Sequence, residues 1–282
     1  MGSRFAGPAA LPAARARQVA WAAALAAAAT GALAQPIEFT GSVGVSQRRL
    51  QERSAGATLL TEQGPVGVLQ LEGTRNYADG KALSVRFTAL GGDLDYDGQT
   101  QAGAPLSTRS RHSEAGLDLL VRPHAPAPWG EAWLTLGWLG NRRDIRSTPA
   151  ATGLLEDSSS VWAGLRWRAP QLPAAGWQLR PEVEGRISVW HRIDVDFRGA
   201  REPLALRPLD DASFEGARRR QLVLRLVGSR PESPWSWALE WSRITQGESP
   251  SAPLTANGAP VGTVRQPELS IEDFGLRVSR RF

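Results

Sequence analysis

Three aspartates at every second position, Asp93, Asp95 and Asp97 in GDLDYDG, form the densest acidic set in the chain. His112 follows a long polar connection, and a later stretch, SVWHRIDVDF, carries His191, Asp194 and Asp196. Carboxylates beside a histidine can hold a water and take its proton, the chemistry of a general base. Asp93, Asp95, His112, Asp194 and Asp196 are therefore the catalytic candidates. Asp93, Asp95 and Asp97 also offer oxygens to Ca²⁺, although the spacing of an EF-hand loop is incomplete. The plainer reading is an acidic turn, because Asp and Gly favour turns for local reasons. No nucleophile elbow, zinc-binding His pair, phosphate loop or dinucleotide fingerprint stands out. No cofactor is expected, and His124, in the Pro-rich RPHAPAPW, reads as a turn residue.

The elements that must position these residues are strands. Apolar and other residues alternate through most of the chain, the period of a β-strand. In KALSVRFTAL, Leu83, Val85 and Phe87 oppose Ser84 and Arg86; in RQLVLRLVG, Leu222, Leu224 and Leu226 oppose Val223 and Arg225. PWSWALEWSR places Trp235, Trp237, Leu239 and Trp241 on one face and Glu240 on the other. Ten such strands are expected, with eight or twelve as alternatives. The second, around Val66 to Gly73, breaks its alternation between Val68 and Leu69, which suggests a bulge. His191 falls in the apolar phase with Ile187 and Val189.

The N-terminal stretch sets the expected compartment. Arg4, Arg15 and Arg17 precede an Ala-rich apolar run and the small-residue site Ala32-Leu33-Ala34. This is the pattern of a cleaved secretory signal peptide, residues 1–34, leaving residues 35–282 as the barrel domain. The chain carries 33 basic and 28 acidic residues, a net charge of +5. Without those three arginines it falls to about +2, which does not argue for a nucleic-acid partner. There is no cysteine, so neither a disulfide framework nor a thiolate metal site is available.

Connections alternate between short (NYADG, PQLPAAG, SRPESP) and long (RDIRSTPAATGLLEDSS, QGESPSAPLTANGAPVGTVRQ). A barrel with short periplasmic turns and long extracellular loops does this. Tryptophans gather near the short turns (Trp129, Trp167, Trp177, Trp235), and Trp138 and Trp241 lie near the other rim, as two interfacial belts would require. The chain ends EDFGLRVSRRF, with Phe274, Leu276, Val278 and Phe282 in one phase.

With that terminal strand the chain resembles the Gram-negative outer-membrane β-barrel proteins. The resemblance implies an all-β, up-and-down transmembrane barrel in contact with outer-membrane lipid and lipopolysaccharide. It also implies that Phe274, Leu276, Val278 and Phe282 are read by the barrel-assembly machinery during insertion. Ten strands with Asp93-x-Asp95 at an outer strand end also resemble the omptin surface proteases. In that family such a pair faces an Asp-x-His on the seventh strand and the two pairs activate a water. Here Asp194 is followed two residues on by Asp196 instead of His.

The opposite phase is rich in paired charge types: Arg86, Glu114, Asp118, Arg166, Glu182, Glu184, Arg186, Arg225 and Glu240. A ten-stranded lumen is only slightly wider than one that side chains fill. An Arg–carboxylate network plugging it is expected, since buried charges need partners. The expected role is a surface-exposed structural or binding protein with a mostly blocked lumen. An omptin-like surface hydrolase and a narrow porin-like channel are the alternatives.

Overall fold

The computed structural model describes residues 36–99, 103–201 and 207–282. The expected signal peptide lies outside the described residues. Ten long strands build the barrel: β1 (Ile37–Ser54), β2 (Ala57–Asn76), β3 (Ala82–Gln99), β4 (Pro105–Arg122), β5 (Glu131–Ile145), β6 (Leu154–Arg168), β8 (Trp177–Asp196), β10 (Arg219–Ser229), β11 (Trp235–Gln246) and β14 (Glu268–Arg281). Four short strands decorate it: β7 (Leu172–Ala174), β9 (Ala212–Glu215), β12 (Ala252–Ala256) and β13 (Ala259–Val264).

Each long strand pairs antiparallel with its neighbours in chain order, and β14 pairs with both β11 and β1. The sheet therefore closes and leaves no open edge, the condition under which strands can cross a bilayer. Closure is completed beyond the last strand, where the Phe282 N–H donates to the Phe39 carbonyl at 2.9 Å.

Along every strand one face looks outward and the other into the lumen. The outward face has two zones. Toward the short-turn end it is apolar and exposed: Val43, Val45, Leu134, Leu136, Leu165 and Leu276 are examples. On β1 this zone runs from Ile37 to Val45, the roughly 9–11 residues that a tilted strand needs to cross a bilayer. Toward the long-loop end the same face turns polar, with Arg49, Arg111, Arg142, Arg192 and Arg243 exposed. An exposed apolar zone this extensive is unusual in a water-soluble monomer and marks a contact surface.

The strands continue far past the apolar zone. The stretch RRLQERSAGATLLTEQG reads as a loop in sequence, yet β1 and β2 run through it and are joined by Ala55 and Gly56 alone. Its alternation is hidden because both faces carry charges there, Arg49 and Arg53 outside, Arg48 and Glu52 inside. The break expected at Val68 is absent. Register with β1 is continuous there, Val68 is a small apolar residue on the lumen side, and the irregularity lies at Glu52/Arg53.

At the long-loop end, inward side chains form a hydrophobic plug of Leu50, Leu60, Tyr96, Ile145, Trp162, Ile244, Leu269 and Ile271. A second cluster of Ile193, Val195, Phe197 and Ala212 continues it, with Leu254 and Val264 from the β12–β13 hairpin packed against it. That hairpin turns at Asn257-Gly258, both at positive φ, as a tight two-residue turn requires.

Candidate functional site: the charged lumen

The lumen is organised by the register of neighbouring strands. Arg86 on β3 lies directly opposite Asp118 on β4, and Arg225 on β10 lies opposite both Glu182 on β8 and Glu240 on β11. Opposite charges at directly facing positions attract, which favours this register. Arg86 donates to Asp118 Oδ2 through Nε and Nη2, at 2.9 and 2.8 Å, and reaches Glu184 Oε1 at 3.3 Å.

Glu184 is the hub. It accepts from Arg166 Nε at 2.9 Å and Arg225 Nη1 at 3.1 Å, and also contacts Arg186. Arg186 reaches back to Asp118 Oδ1 at 2.9 Å. Arg225 and Arg277 share Glu240. Glu182 is held by Arg168 at 3.3 Å and Arg180 at 3.5 Å. Four arginines around one buried carboxylate satisfy a charge that would otherwise be very costly to bury.

A second tier lies nearer the long loops. Arg48 grips Asp273 through Nε and Nη2, at 2.8 and 2.9 Å, and meets Glu114 at 2.6 Å. Above it, Arg143 contacts Glu52, Glu62 and Glu156. Glu62 also accepts from Ser110 Oγ at 2.5 Å and sits 2.5 Å from His112 Nε2. Burial alone pushes the Glu62 carboxyl up, but Arg143 and His112 outweigh it and hold it at about 2. Burial pushes the neighbouring Glu52 up, and there the counter-charge of Arg143 does not prevail.

All nine sequence-derived luminal residues face inward and carry ion pairs. Sequence reasoning does not find Arg48, Glu52, Glu62, Arg143, Glu156 and Asp273, which belong to strand extensions that read as loops or termini in sequence. The signal that could have found them is their phase: Arg48, Leu50 and Glu52 continue the lumen phase of Ser42 and Ser46.

The rim candidates are split between two faces. Asp93, Asp95 and Asp97 all lie on the outer face of β3. Asp93 binds Arg111 and Arg146, each at 3.0 Å, Asp95 pairs with Arg109 at 3.5 Å, and Asp97 accepts from Ser107. Being on one strand face they stand about 7 Å apart along the chain, too spread to wrap one Ca²⁺. His112 faces inward and is buried against Glu62. Asp194 faces outward, beside Arg192 and Ser213, and Asp196 accepts from the Arg198 N–H.

His191 is inward and buried, not in the lipid-facing phase that simple alternation gives it. A bulge is the reason: Val161 of β6 pairs with Trp190 and Trp162 with Ser188, leaving Val189 extra. The chain thereafter runs in the opposite phase. His191 Nδ1 meets the Ala217 carbonyl at 3.1 Å, and the missing Cβ of Gly216 makes room for the ring.

Comparison with solved structures places this architecture. The outer membrane protease OmpT from Escherichia coli superposes with a TM-score of 0.51 at 10% identity, covering 90% of this chain and 100% of that one. The chain has the outer-membrane β-barrel fold. The translocator domain of the autotransporter NalP from Neisseria meningitidis aligns over 96% of this chain and 97% of its own, at 9% identity and a TM-score of 0.48. No protein-family profile matches the chain, and no curated protein sequence matches it.

Within this outer-membrane-type barrel, the arrangement implied by the omptin resemblance does not assemble. It needs two pairs facing one another across the mouth, but Asp93, Asp95, Asp194 and Asp196 are engaged with partners outside the barrel wall or at its rim. His112 is separated from them by the wall of β3 and β4.

Proposed function

We propose that this protein resides in the Gram-negative outer membrane as a surface-exposed structural or binding protein with a closed lumen. One observation carries the reading: the Arg86–Asp118–Glu184–Arg225–Glu240–Arg277 network joins strands across the lumen, and the hydrophobic plug lies over it. The exposed apolar zone supports membrane residence. Aromatic side chains at the short-turn end, Trp129, Trp167, Trp235 and Phe282, support an interfacial belt there. Trp138, Trp190 and Phe274 support a second belt at the upper border.

On this reading the short turns face the periplasm and the long loops face outward. Arg49, Arg111, Arg142, Arg192 and Arg243 then lie where the phosphates of lipopolysaccharide would meet them. The terminal Phe274, Leu276, Val278 and Phe282 face lipid and serve as the signal read during insertion.

Liposome swelling tests the closed lumen. Vesicles containing the folded protein should admit small sugars no faster than protein-free vesicles. Swelling that scales with protein content would overturn the assignment and favour the porin-like alternative.

A further inference from the structure

At the short-turn end the lumen widens into a cavity of about 540 Å³. Its walls are unevenly charged. Nine arginines line it against four acidic residues, Glu38, Glu72, Glu131 and Glu182. Seven of the nine are paired: Arg86, Arg166, Arg225 and Arg277 with Asp118, Glu184 or Glu240, and Arg122, Arg168 and Arg180 with Glu131, Glu72 or Glu182. The surplus left by these pairs is Arg230 and Arg281, at the short-turn end of the cavity.

The cations are also held in place. Arg122 and Arg168 both lie over the Trp133 ring, at 5.2 and 4.9 Å, and Trp133 is only 2% exposed. Trp133 is itself anchored by its indole N–H, which donates to Glu131 at 3.1 Å. Near the turns, Arg230 stacks over Trp177 at 4.7 Å. The donor edges of Arg122 and Arg168 are taken up by Glu131, Glu72 and Glu182, whereas Arg230, stacked in the same way, keeps its edge available for a planar acceptor. Deeper in the same wall, Arg166 is 2% exposed; its Nε donates to Glu184, while its Nη2 has no acceptor. Arg230 forms no ion pair among the described residues.

We propose that this vestibule binds a small solute through its oxyanion groups, carboxylate or phosphate, admitted from the short-turn end. The volume suits a small molecule, which fills cavities of roughly 300–1,000 Å³. Rigid, stacked arginines select planar or tetrahedral oxyanions through paired N–H donors. The site goes beyond the closed-lumen reading and does not depend on it, because a conducting barrel could bind the same solute.

The test is titration calorimetry on the full-length barrel, folded in an uncharged detergent at low ionic strength, with citrate and pyrophosphate as separate probes. Saturable binding of citrate alone assigns a carboxylate ligand, of pyrophosphate alone a phosphate ligand, and of both a general oxyanion site. Binding should weaken at least tenfold in Arg230→Gln and severalfold in Arg168→Gln. It should be unchanged in Arg192→Gln, on the outer face. Arg230 lies at a turn, so its variant decides the matter if Arg168→Gln does not fold. No saturable binding of either probe, or equal affinity in wild type and Arg230→Gln, would overturn the proposal.

Discussion

Glu62 Oε2 lies 2.5 Å from His112 Nε2, with both side chains buried, the plug residues Leu50 and Tyr96 facing Glu62 in register, and Arg143 on the same carboxylate. The ordinary value for this carboxyl is 4.5, and in the fold it is held at about 2. A depressed carboxyl pKa stabilises the folded state above its unfolded value and loses that contribution as pH falls through the folded value. A shift of this size corresponds to roughly 3 kcal/mol. Glu62→Gln should therefore lower the urea midpoint of the folded barrel at pH 7. The gap from wild type should narrow steadily between about pH 4.5 and pH 2. A gap of constant size across that range would mean the ion pair contributes nothing through its charge.

Glu184 is the carboxylate shared by Arg86, Arg166, Arg186 and Arg225. Glu184→Gln keeps the shape but strands several buried cations, so a loss of about 3–5 kcal/mol is expected. Glu248→Gln, which breaks the exposed pair with Arg265 near the β11–β14 loop, should cost less than about 1 kcal/mol. Equilibrium unfolding in lipid vesicles compares the two. Similar losses would show that the luminal network is not a stabilising unit.

The β8 bulge makes a prediction about phase. Val189 and Trp190 together oppose one residue of β6, so deleting Val189 straightens the strand while leaving His191 inward. That variant should still migrate as a folded barrel on an unheated gel. Deleting Val183 instead moves either Glu182 or Glu184 toward lipid and should abolish the folded band. Loss of the folded band in both, or in neither, would show that the bulge does not set the phase.

Phe282 is tied into the closing seam by its N–H to Phe39, and the Arg280 guanidinium lies 5.2 Å from its ring and 5.5 Å from that of Trp235. This accounts for a cation in an otherwise apolar outward phase: its charge rests on aromatic faces at the interface. Removing Phe282 should reduce the outer-membrane level severalfold while leaving synthesis unchanged, read by fractionation and quantitative blotting. Equal membrane levels would argue against an assembly role for this terminus.

Much of this architecture is legible in the chain because lipid demands a clean alternation. Leu83, Val85 and Phe87 against Ser84 and Arg86 fix both the strand and its faces. The luminal charges are legible for the same reason, since Arg86, Glu184 and Arg225 sit opposite an apolar phase. Beyond the apolar zone the contrast between faces disappears. Arg48 and Arg49 point in opposite directions, yet no difference in residue type says so. The second charge tier around Glu62 and Arg143 is therefore not legible from residue type, and the strand ends that carry it read as loops. The rim failed for a different reason. The face on which Asp93 and Asp95 sit follows from phase, because they continue the outward series of Val85, Phe87 and Ala89, while the facing of His191 depends on a one-residue bulge that no residue type announces.

The central claim is that the lumen is closed, and single-channel recording tests it most directly. With the purified barrel in a planar bilayer at neutral pH, no stable conductance steps should appear at moderate voltage. Glu184→Gln combined with truncation of the plug residue Leu269 to Ala should introduce them. Regular, ohmic steps from the wild-type barrel would contradict the account.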